Sequence, residues 1–504
     1  MNKKKYTIII LIALFIILGS FLRLYKLSNQ SYWMDEGYTV NAVISGIENG
    51  HKNFSSILDS GKTYFCPLYC YPTESITKIF GANSFSFRLI SALSGILFIL
   101  IIFLIVKNLF NSQIALLSSF FITFSYWQIA WSRQARWYTL FTIFFWLALF
   151  CFYKFFYNKK NKIIYLALTI LFTILAVLAH KIALLLPMIM FFWVIIDCSL
   201  AKKKNIAKFI KNIILALIFF IAINLIIKYA FNINFIFAFY EKMSLHYNLP
   251  YYLSFYLRNY WFLIVLAIFA IFNSKEKKKI YFLLLPILSY LISLSFLTNI
   301  IHYRYLFHIT PALYILASFG IIDIYNKIKH NLFKNIFVLA LILIFFLSNG
   351  VILPRSFYLL ESDDPAKLGQ RPHYAYTPQP DFNSAYAIIK DNLKSNEIVI
   401  SSHPHFNKIF LNRPGYWLKY SYLGIENYVS AINEDKEYYV GAKVIDDLKE
   451  LKQAMKNNHG YIVFDFMSID NRIPTEEIDY IKKNSKFIFI NETNSYSKIW
   501  VYEF

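Results

Sequence analysis

Two carboxylates stand side by side in the segment Tyr32-Trp33-Met34-Asp35-Glu36-Gly37-Tyr38, and they are two of only nine acids in residues 1–354. An acid beside so much apolar sequence is costly and marks a function. At a membrane surface a carboxylate can take the proton of a hydroxyl as a general base. A structural alternative stays open: Asp35 as the N-cap of an interfacial helix, with Glu36 in its first turn. A second group is basic and polar. It comprises Arg133, Gln134, Arg136 and Tyr138 in Ser132-Arg133-Gln134-Ala135-Arg136-Trp137-Tyr138, then His180 with Lys181, then His302, Tyr303, Arg304 and Tyr305. Donors of these types suit a phosphate. Any one of them also suits snorkelling to lipid headgroups, and that alternative stays open too.

The elements that carry these residues are set by composition. Of 504 residues 58% are hydrophobic and only 16% charged, whereas a soluble chain carries charge on roughly a quarter. Apolar runs near 6–25, 86–106, 112–131, 137–156, 162–179, 182–200, 211–231, 259–273, 280–298, 304–325 and 333–352 are each close to the length that spans a bilayer. The sequence therefore predicts a polytopic α-helical membrane protein with about eleven transmembrane helices. The N-terminal run lacks a small-residue cleavage pattern and is read as a retained helix.

The net charge of +22 belongs to the apolar part: residues 1–354 carry +24 and residues 355–504 carry −2. Twenty Lys fall in alternate connections, from Lys3 to Lys5 through Lys107, Lys154, Lys202 to Lys204 and Lys275 to Lys327, Lys329 and Lys334. The positive-inside rule puts these connections and the N-terminus in the cytoplasm of a multi-pass protein of the cell membrane. Residues 27–85, residues 232–258 (aromatic-rich, at the interface) and the tail then fall outside. Asp35, Glu36 and the basic span ends share that outer face. Clusters of Lys between apolar runs do not make a nucleic-acid surface.

Residues 1–354 form the membrane domain, 355–381 a linker rich in Pro and Gly, and 382–504 an extracytoplasmic α/β domain. Strands are expected at 397–401, 461–466, 486–491 and 497–502, and helices near 382–395, 444–457 and 474–484. Cys66 and Cys70 lie four apart in the outer loop, a spacing that leaves pairing open. Cys151 and Cys198 are packing residues. Asp197 and Asp323, near cytoplasmic span ends, face headgroups or Lys neighbours. Asn53-Phe54-Ser55 and Asn491-Glu492-Thr493 fit a glycosylation sequon by chance, and Tyr416, Trp417 and Tyr420 are core or sugar-contacting aromatics.

Several short patterns occur in order. They are Trp33-x-Asp35-Glu36, Pro67-Leu68-Tyr69, Gly81-x-x-Ser84-x-x-x-Arg88-Leu89, Ala135-Arg136-x-Tyr138, His180-Lys181 ahead of Leu186-Pro187, and Tyr303-Arg304-Tyr305 with Pro311. The set resembles the polyprenyl-phosphate-dependent GT-C glycosyltransferases, especially the protein O-mannosyltransferase group, the lipid A aminoarabinose transferase and the rhizobial lipopolysaccharide galacturonosyltransferases. The resemblance implies a GT-C-like fold, a polyprenyl-phosphate-linked sugar donor, membrane lipids as surroundings, and an acceptor protein, lipid or glycan outside the cytoplasm. It carries the family's acidic motif onto Asp35 and Glu36. Two departures exist: Cys66-Pro67 replaces a proline pair, and Arg133 and Arg136 stand where relatives often place a further acid.

The chemistry expected from the resemblance is direct displacement with inversion. Asp35 is the base and Glu36 orients it. Arg133, Arg136, Tyr138, His180, Lys181, His302, Tyr303 and Arg304 bind the donor phosphate, whose departure needs cations more than an acid. A divalent metal at Asp35 and Glu36, completed by lipid phosphate oxygens, stays an open alternative. The competing function is a lipid-linked glycan flippase, polymerase or ligase of the cell envelope. A secondary transporter is disfavoured, because the spans lack central acids and no repeat is visible.

Overall fold

The structure is a computed structural model. It describes residues 3–49, 67–158, 160–200, 214, 221, 225, 247–297, 303–349, 380–419, 432–433, 436–437, 440–465, 468–469, 473–490 and 498–504. Contacts divide it into two compact units: Met1–Tyr25, Leu89–Arg133 and Trp137–Phe357 form unit 1, and Lys26–Arg88, Gln134–Arg136 and Tyr358–Phe504 form unit 2.

Unit 1 is helical: α1 (Lys3–Leu24), the body of α4 (Ser84–Leu109), α5 (Ser112–Phe124), α6 (Tyr126–Ser132), α7 (Tyr138–Tyr157), α8 (Lys162–Ala179), α9 (Leu185–Leu200), α10 (Leu249–Asn273), α11 (Lys277–Phe296), α12 (Thr310–Lys327) and α13 (Asn331–Asn349). Among the described residues eight helices are long and apolar enough to cross a membrane, and the bent pair α5–α6 raises the number to nine. The expected tenth span is the buried helix α12, whose Asp323, Asn326 and Lys327 leave it too polar to count with the others. The expected span 211–231 lies largely outside the described residues. α10 begins at Leu249 and breaks at Tyr260 (φ −138°, ψ 19°), so the residues before the break are a helical segment distinct from the span expected to start at 259.

Close helix crossing replaces apolar attraction inside lipid. At Gly320 of α12 any Cβ would collide with the Leu266 carbonyl of α10, and Ser118 of α5 meets Ser318 of α12 at 3.2 Å. The third apolar run, expected as one straight span, is bent by 59°. Ser125 is the cause: its backbone is extended (ψ 122°), and its hydroxyl accepts from Gln128 N at the start of α6. The same hydroxyl lies 2.7 Å from Tyr314 Oη. Breaking a helix in a membrane orphans its last carbonyls, which must be satisfied internally. Arg23 does this, with Nη2 donating to Ile122 O at 2.9 Å and Nη1 to Thr123 O at 3.2 Å. Arg133 closes α1 in the same manner, its Nη1 donating to the carbonyls of Leu22, Arg23 and Tyr25. Asp197 pairs with Lys278 at 2.7 Å and Asp323 with Lys327 at 2.8 Å, as expected of acids near Lys neighbours.

Unit 2 combines the first-loop helices α2 (Met34–Asn49) and α3 (Pro67–Phe80) with the tail: α14 (Phe382–Asn392), α15 (Pro404–Leu411), α16 (Leu448–Asn457), α17 (Thr475–Asn484) and strands β1 to β8. The strands are β1 (Ile398–Ser401), β2 (Tyr416–Leu418), β3 (Ile432–Asn433), β4 (Lys436–Glu437), β5 (Lys443–Ile445), β6 (Gly460–Asp465), β7 (Lys486–Ile490) and β8 (Ile499–Glu503). They form one sheet in the order β3-β4-β5-β2-β1-β6-β8-β7. β1 pairs parallel with β2 and β6, β2 pairs parallel with β5, and β8 is antiparallel to β6 and β7.

Ile400, Leu418, Ile445, Ile462 and Phe464 from the strands bury Leu451, Ile478 and Ile481 from the helices. All four expected strands and all three expected helices of the tail are present within a few residues. Lys443–Ile445, expected to open a helix, is instead β5 with α16 starting at Leu448, and the tail also contains α15 and β2. Cys70 is disulfide-bonded and Cys66 lies outside the described residues, as do both sequons, Tyr420 and most of the 355–381 linker. Cys151 and Cys198 are free.

Candidate active site

In unit 2 the acidic pair opens α2. Gly37 N donates to Trp33 O at 3.0 Å, the first helical hydrogen bond, so Trp33 and not Asp35 occupies the N-cap. Glu36 reaches back to accept from Trp33 N at 3.0 Å, one half of a capping box. Its other bonds come from distant sequence. Oε1 accepts from Arg88 Nε at 2.8 Å and from Ala135 N at 2.6 Å, and Oε2 accepts from Arg88 Nη2 at 2.9 Å. Arg88 in turn donates to the carbonyls of Leu27, Gln30 and Ser31, which ties the chain entering α2 to the first turn of α4. The Tyr32 ring lies 5.1 Å from the same guanidinium, and burial pushes the Tyr32 phenol up to about 12. Tyr69, from the Pro67-Leu68-Tyr69 pattern, donates to Phe87 O at 2.7 Å.

Asp35 is held differently. Its side chain is 18% exposed, whereas that of Glu36 is 0%. Arg136 Nη1 donates to Asp35 O at 2.9 Å and to Thr39 Oγ1 at 3.1 Å, while Nη2 stands 3.5 Å from Asp35 Oδ2. The Arg136 guanidinium also packs 5.9 Å from the Trp33 ring. Of the two adjacent carboxylates, one is enclosed by four protein donors and the other is partly open beside a cation. Among the described residues no group of three or more His, Cys, Asp or Glu is placed to hold a metal ion. With both Glu36 oxygens already engaged by an arginine and two amides, this pair does not fit a metal centre.

The remaining expected residues are in unit 1. Arg133 is 1% exposed and is committed to the α1 carbonyls described above, which departs from its expected phosphate role. His180 ends α8 and caps the 3-10 turn Lys181–Leu184, its Nδ1 accepting from Ile182 N at 3.1 Å. That leaves Nε2 as the ring's donor. Four aromatic rings surround this imidazole: Trp137 at 6.0 Å, Tyr138 at 5.8 Å, Phe141 at 5.8 Å and Tyr305 at 5.7 Å. Tyr303 stacks on Tyr251 at 4.1 Å and on Phe255 at 4.9 Å. Arg304 lies over Tyr305 at 5.4 Å.

Unit 1 thus brings Tyr138, His180 and Tyr305 together, with Arg304 on the last of these rings. His302 and the Lys181 side chain lie outside the described residues. His308 belongs to no motif, and sequence reasoning missed it. Its buried ring meets Tyr290 at 4.2 Å and Phe141 at 4.7 Å, and Nε2 has no hydrogen-bond partner among the described residues. A histidine inside the apolar run 304–325 was the available signal.

Residues 65–227 match the profile of the dolichyl-phosphate-mannose-protein mannosyltransferase family. No curated protein matches the chain in sequence. Among solved structures, ArnT from Cupriavidus metallidurans bound to undecaprenyl phosphate superposes with a TM-score of 0.61 at 12% identity, covering 100% of this chain and 98% of that one. The archaeal oligosaccharyltransferase AglB from Archaeoglobus fulgidus, in complex with an inhibitory peptide and a dolichol-phosphate, superposes with a TM-score of 0.58 at 12% identity, covering 93% and 70%. The chain therefore has the GT-C fold, as the ordered motifs implied.

Proposed function

We propose that this multi-pass membrane protein is a glycosyltransferase. It moves a sugar from a polyprenyl-phosphate donor to an acceptor hydroxyl on the outer face of the membrane, with inversion. The observation that carries this reading is the unequal treatment of Asp35 and Glu36. Glu36 is engaged on both oxygens, so it positions the turn. Asp35 keeps an exposed edge beside Arg136 and is the base. The GT-C fold and the lipid phosphates named with the two solved structures support the donor class.

Atoms balance simply. The acceptor oxygen attacks the anomeric carbon while its proton passes to Asp35. The carbon–oxygen bond to phosphate breaks, and polyprenyl phosphate leaves with the electron pair. Fixed donors stabilise the charge that grows on this leaving group. We assign that work to His180 Nε2, Lys181, Arg304 and the hydroxyls of Tyr138 and Tyr303, with His302 as a further donor. Arg136 orients Asp35, and Arg133 is left out of the set because it is buried and its Nη1 is committed to the carbonyls of Leu22, Arg23 and Tyr25. No metal is needed for any of these steps.

The test is consumption of a labelled polyprenyl-phosphate sugar by membranes holding the wild type or Asp35→Asn. Loss of transfer in a folded Asp35→Asn supports the assignment. Full transfer by that variant overturns it.

A further inference from the structure

In the tail sheet β1 lies between β2 and β6. The chain leaves β1 through α15 to reach β2 on one side, and returns through α16 to β6 on the other. The strand order therefore reverses between β1 and β6. In open α/β sheets a crevice outside the carboxyl ends of the strands forms at such a reversal, and ligands bind there. Here its walls are polar and internally bonded. His403 N donates to Ser401 Oγ at 3.0 Å, His403 Nε2 lies 3.3 Å from Asp465 Oδ2, and Ser468 N donates to Asp465 Oδ1 at 3.0 Å.

The chain passes directly from His403 into the first turn of α15, and α15 packs on α2. The His405 ring lies 4.6 Å from the Tyr38 ring at 31°. A Cβ on Gly37 would stand 2.7 Å from His405 Nε2 and 2.9 Å from Phe406 Cε1. Only glycine fits at position 37 while that imidazole is in place. Gly37 directly follows Glu36.

We propose that His405 is a positioning residue: α15, which starts at the carboxyl edge of the tail sheet, serves as a socket for the first-loop helix, and the imidazole wedged on Gly37 fixes where the Asp35–Glu36 turn stands. The catalytic part of this inference rests on Asp35 being the base. Stability alone does not account for the residue. His405 is 2% exposed and its Nε2 has no hydrogen-bond partner among the described residues, an arrangement that costs stability and that leucine or phenylalanine would avoid. Burial, reinforced by His403 and opposed by Asp465, holds His405 well below its ordinary value. The ring is uncharged at neutral pH and acts by shape. With Glu36 anchored on Arg88, any relaxation at Gly37 is taken up by the neighbouring turn, and misplacement of a reacting group by about 1 Å can cost ~10²-fold in rate.

The test uses the full chain in detergent. Asp35→Cys reports the position of the turn through its rate of maleimide labelling, and exposed Ser75→Cys on α3 is the control. Adding His405→Ala should raise labelling at position 35 at least tenfold and leave position 75 unchanged. In thermal melts Gly37→Ala and His405→Ala should each lower Tm, and the double variant should melt above Gly37→Ala, because the new methyl fills the space of the lost ring. Unchanged labelling at position 35, or strictly additive losses in Tm, overturns the proposal. Transfer by Asp35→Asn judges the base separately: full transfer there with the labelling shift intact removes the catalytic role of Asp35 and keeps the socket.

Discussion

Arg88 and Glu36 form a bidentate pair, Nε to Oε1 at 2.8 Å and Nη2 to Oε2 at 2.9 Å, with neither side chain reaching solvent. Fifty-two residues apart in sequence, they bind the start of α2 to the start of α4. Deleting one partner of such a pair strands a buried charge, at a cost of about 3–5 kcal/mol. Arg88→Ala should therefore fail to accumulate, or should melt many degrees lower in detergent. Glu36→Gln keeps the shape and loses the charge, and should fall between. A normally stable Arg88→Ala would show that the pair is not what holds the turn.

Asp35→Asn has a different expected signature. The N-cap is Trp33, and the Arg136 contacts go mostly to the Asp35 carbonyl and Thr39, so stability should match the wild type. Transfer should fall by ~10²-fold or more, the scale of a lost general base. Single-turnover transfer from a defined lipid donor, normalised to folded protein, measures it.

Arg133 and Arg136 are three residues apart and should fail in opposite ways. Arg133→Ala removes the cap on the carbonyls of Leu22, Arg23 and Tyr25 and should reduce the folded yield, with turnover per folded molecule nearly intact. Arg136→Ala releases Asp35 and should cut turnover at least tenfold at normal yield. Size-exclusion yield and turnover together separate the two.

Chelation provides a further check. Both Glu36 oxygens are already bonded within the protein, so transfer should survive EDTA treatment. A loss restored by a divalent ion would show that metal chemistry enters this site.

The tail domain should show a specific pH dependence. Burial, with Glu476, Asp447 and Asp446 nearby, raises the Glu477 carboxyl from 4.5 to about 7. A raised folded-state value means that the contribution to stability is complete below about 4.5 and is lost as the pH climbs through about 7. Glu477→Gln should be nearly neutral at pH 5 and stabilising at pH 8.5 by about 1–2 kcal/mol, below the full shift because solvent screens part of it. Melts of the full chain at the two pH values decide this; equal effects at both would contradict the assignment.

The sequence by itself determined the class and much of the layout. Apolar runs of bilayer length specify spans locally, and short continuous apolar runs rich in β-branched and aromatic residues specified β1, β6, β7 and β8, because both signals are complete within one segment. The ordered short motifs pointed to the GT-C fold for the same reason: each is local, and their order survives without any contact. Tertiary structure decided the rest. Ser125 breaks a run that reads as one span, because its cap and its Tyr314 partner compete with helix continuation. Arg133 looked like a phosphate ligand until the carbonyls of α1 came within reach of it. Asp35 and Glu36 are indistinguishable by position in the chain. They differ only because Arg88 and Ala135, from distant sequence, converge on one carboxylate and leave the other an exposed edge. Hydrogen-bond partners that lie far apart in sequence leave no periodicity to read, so which of two adjacent acids is enclosed is settled by folding alone.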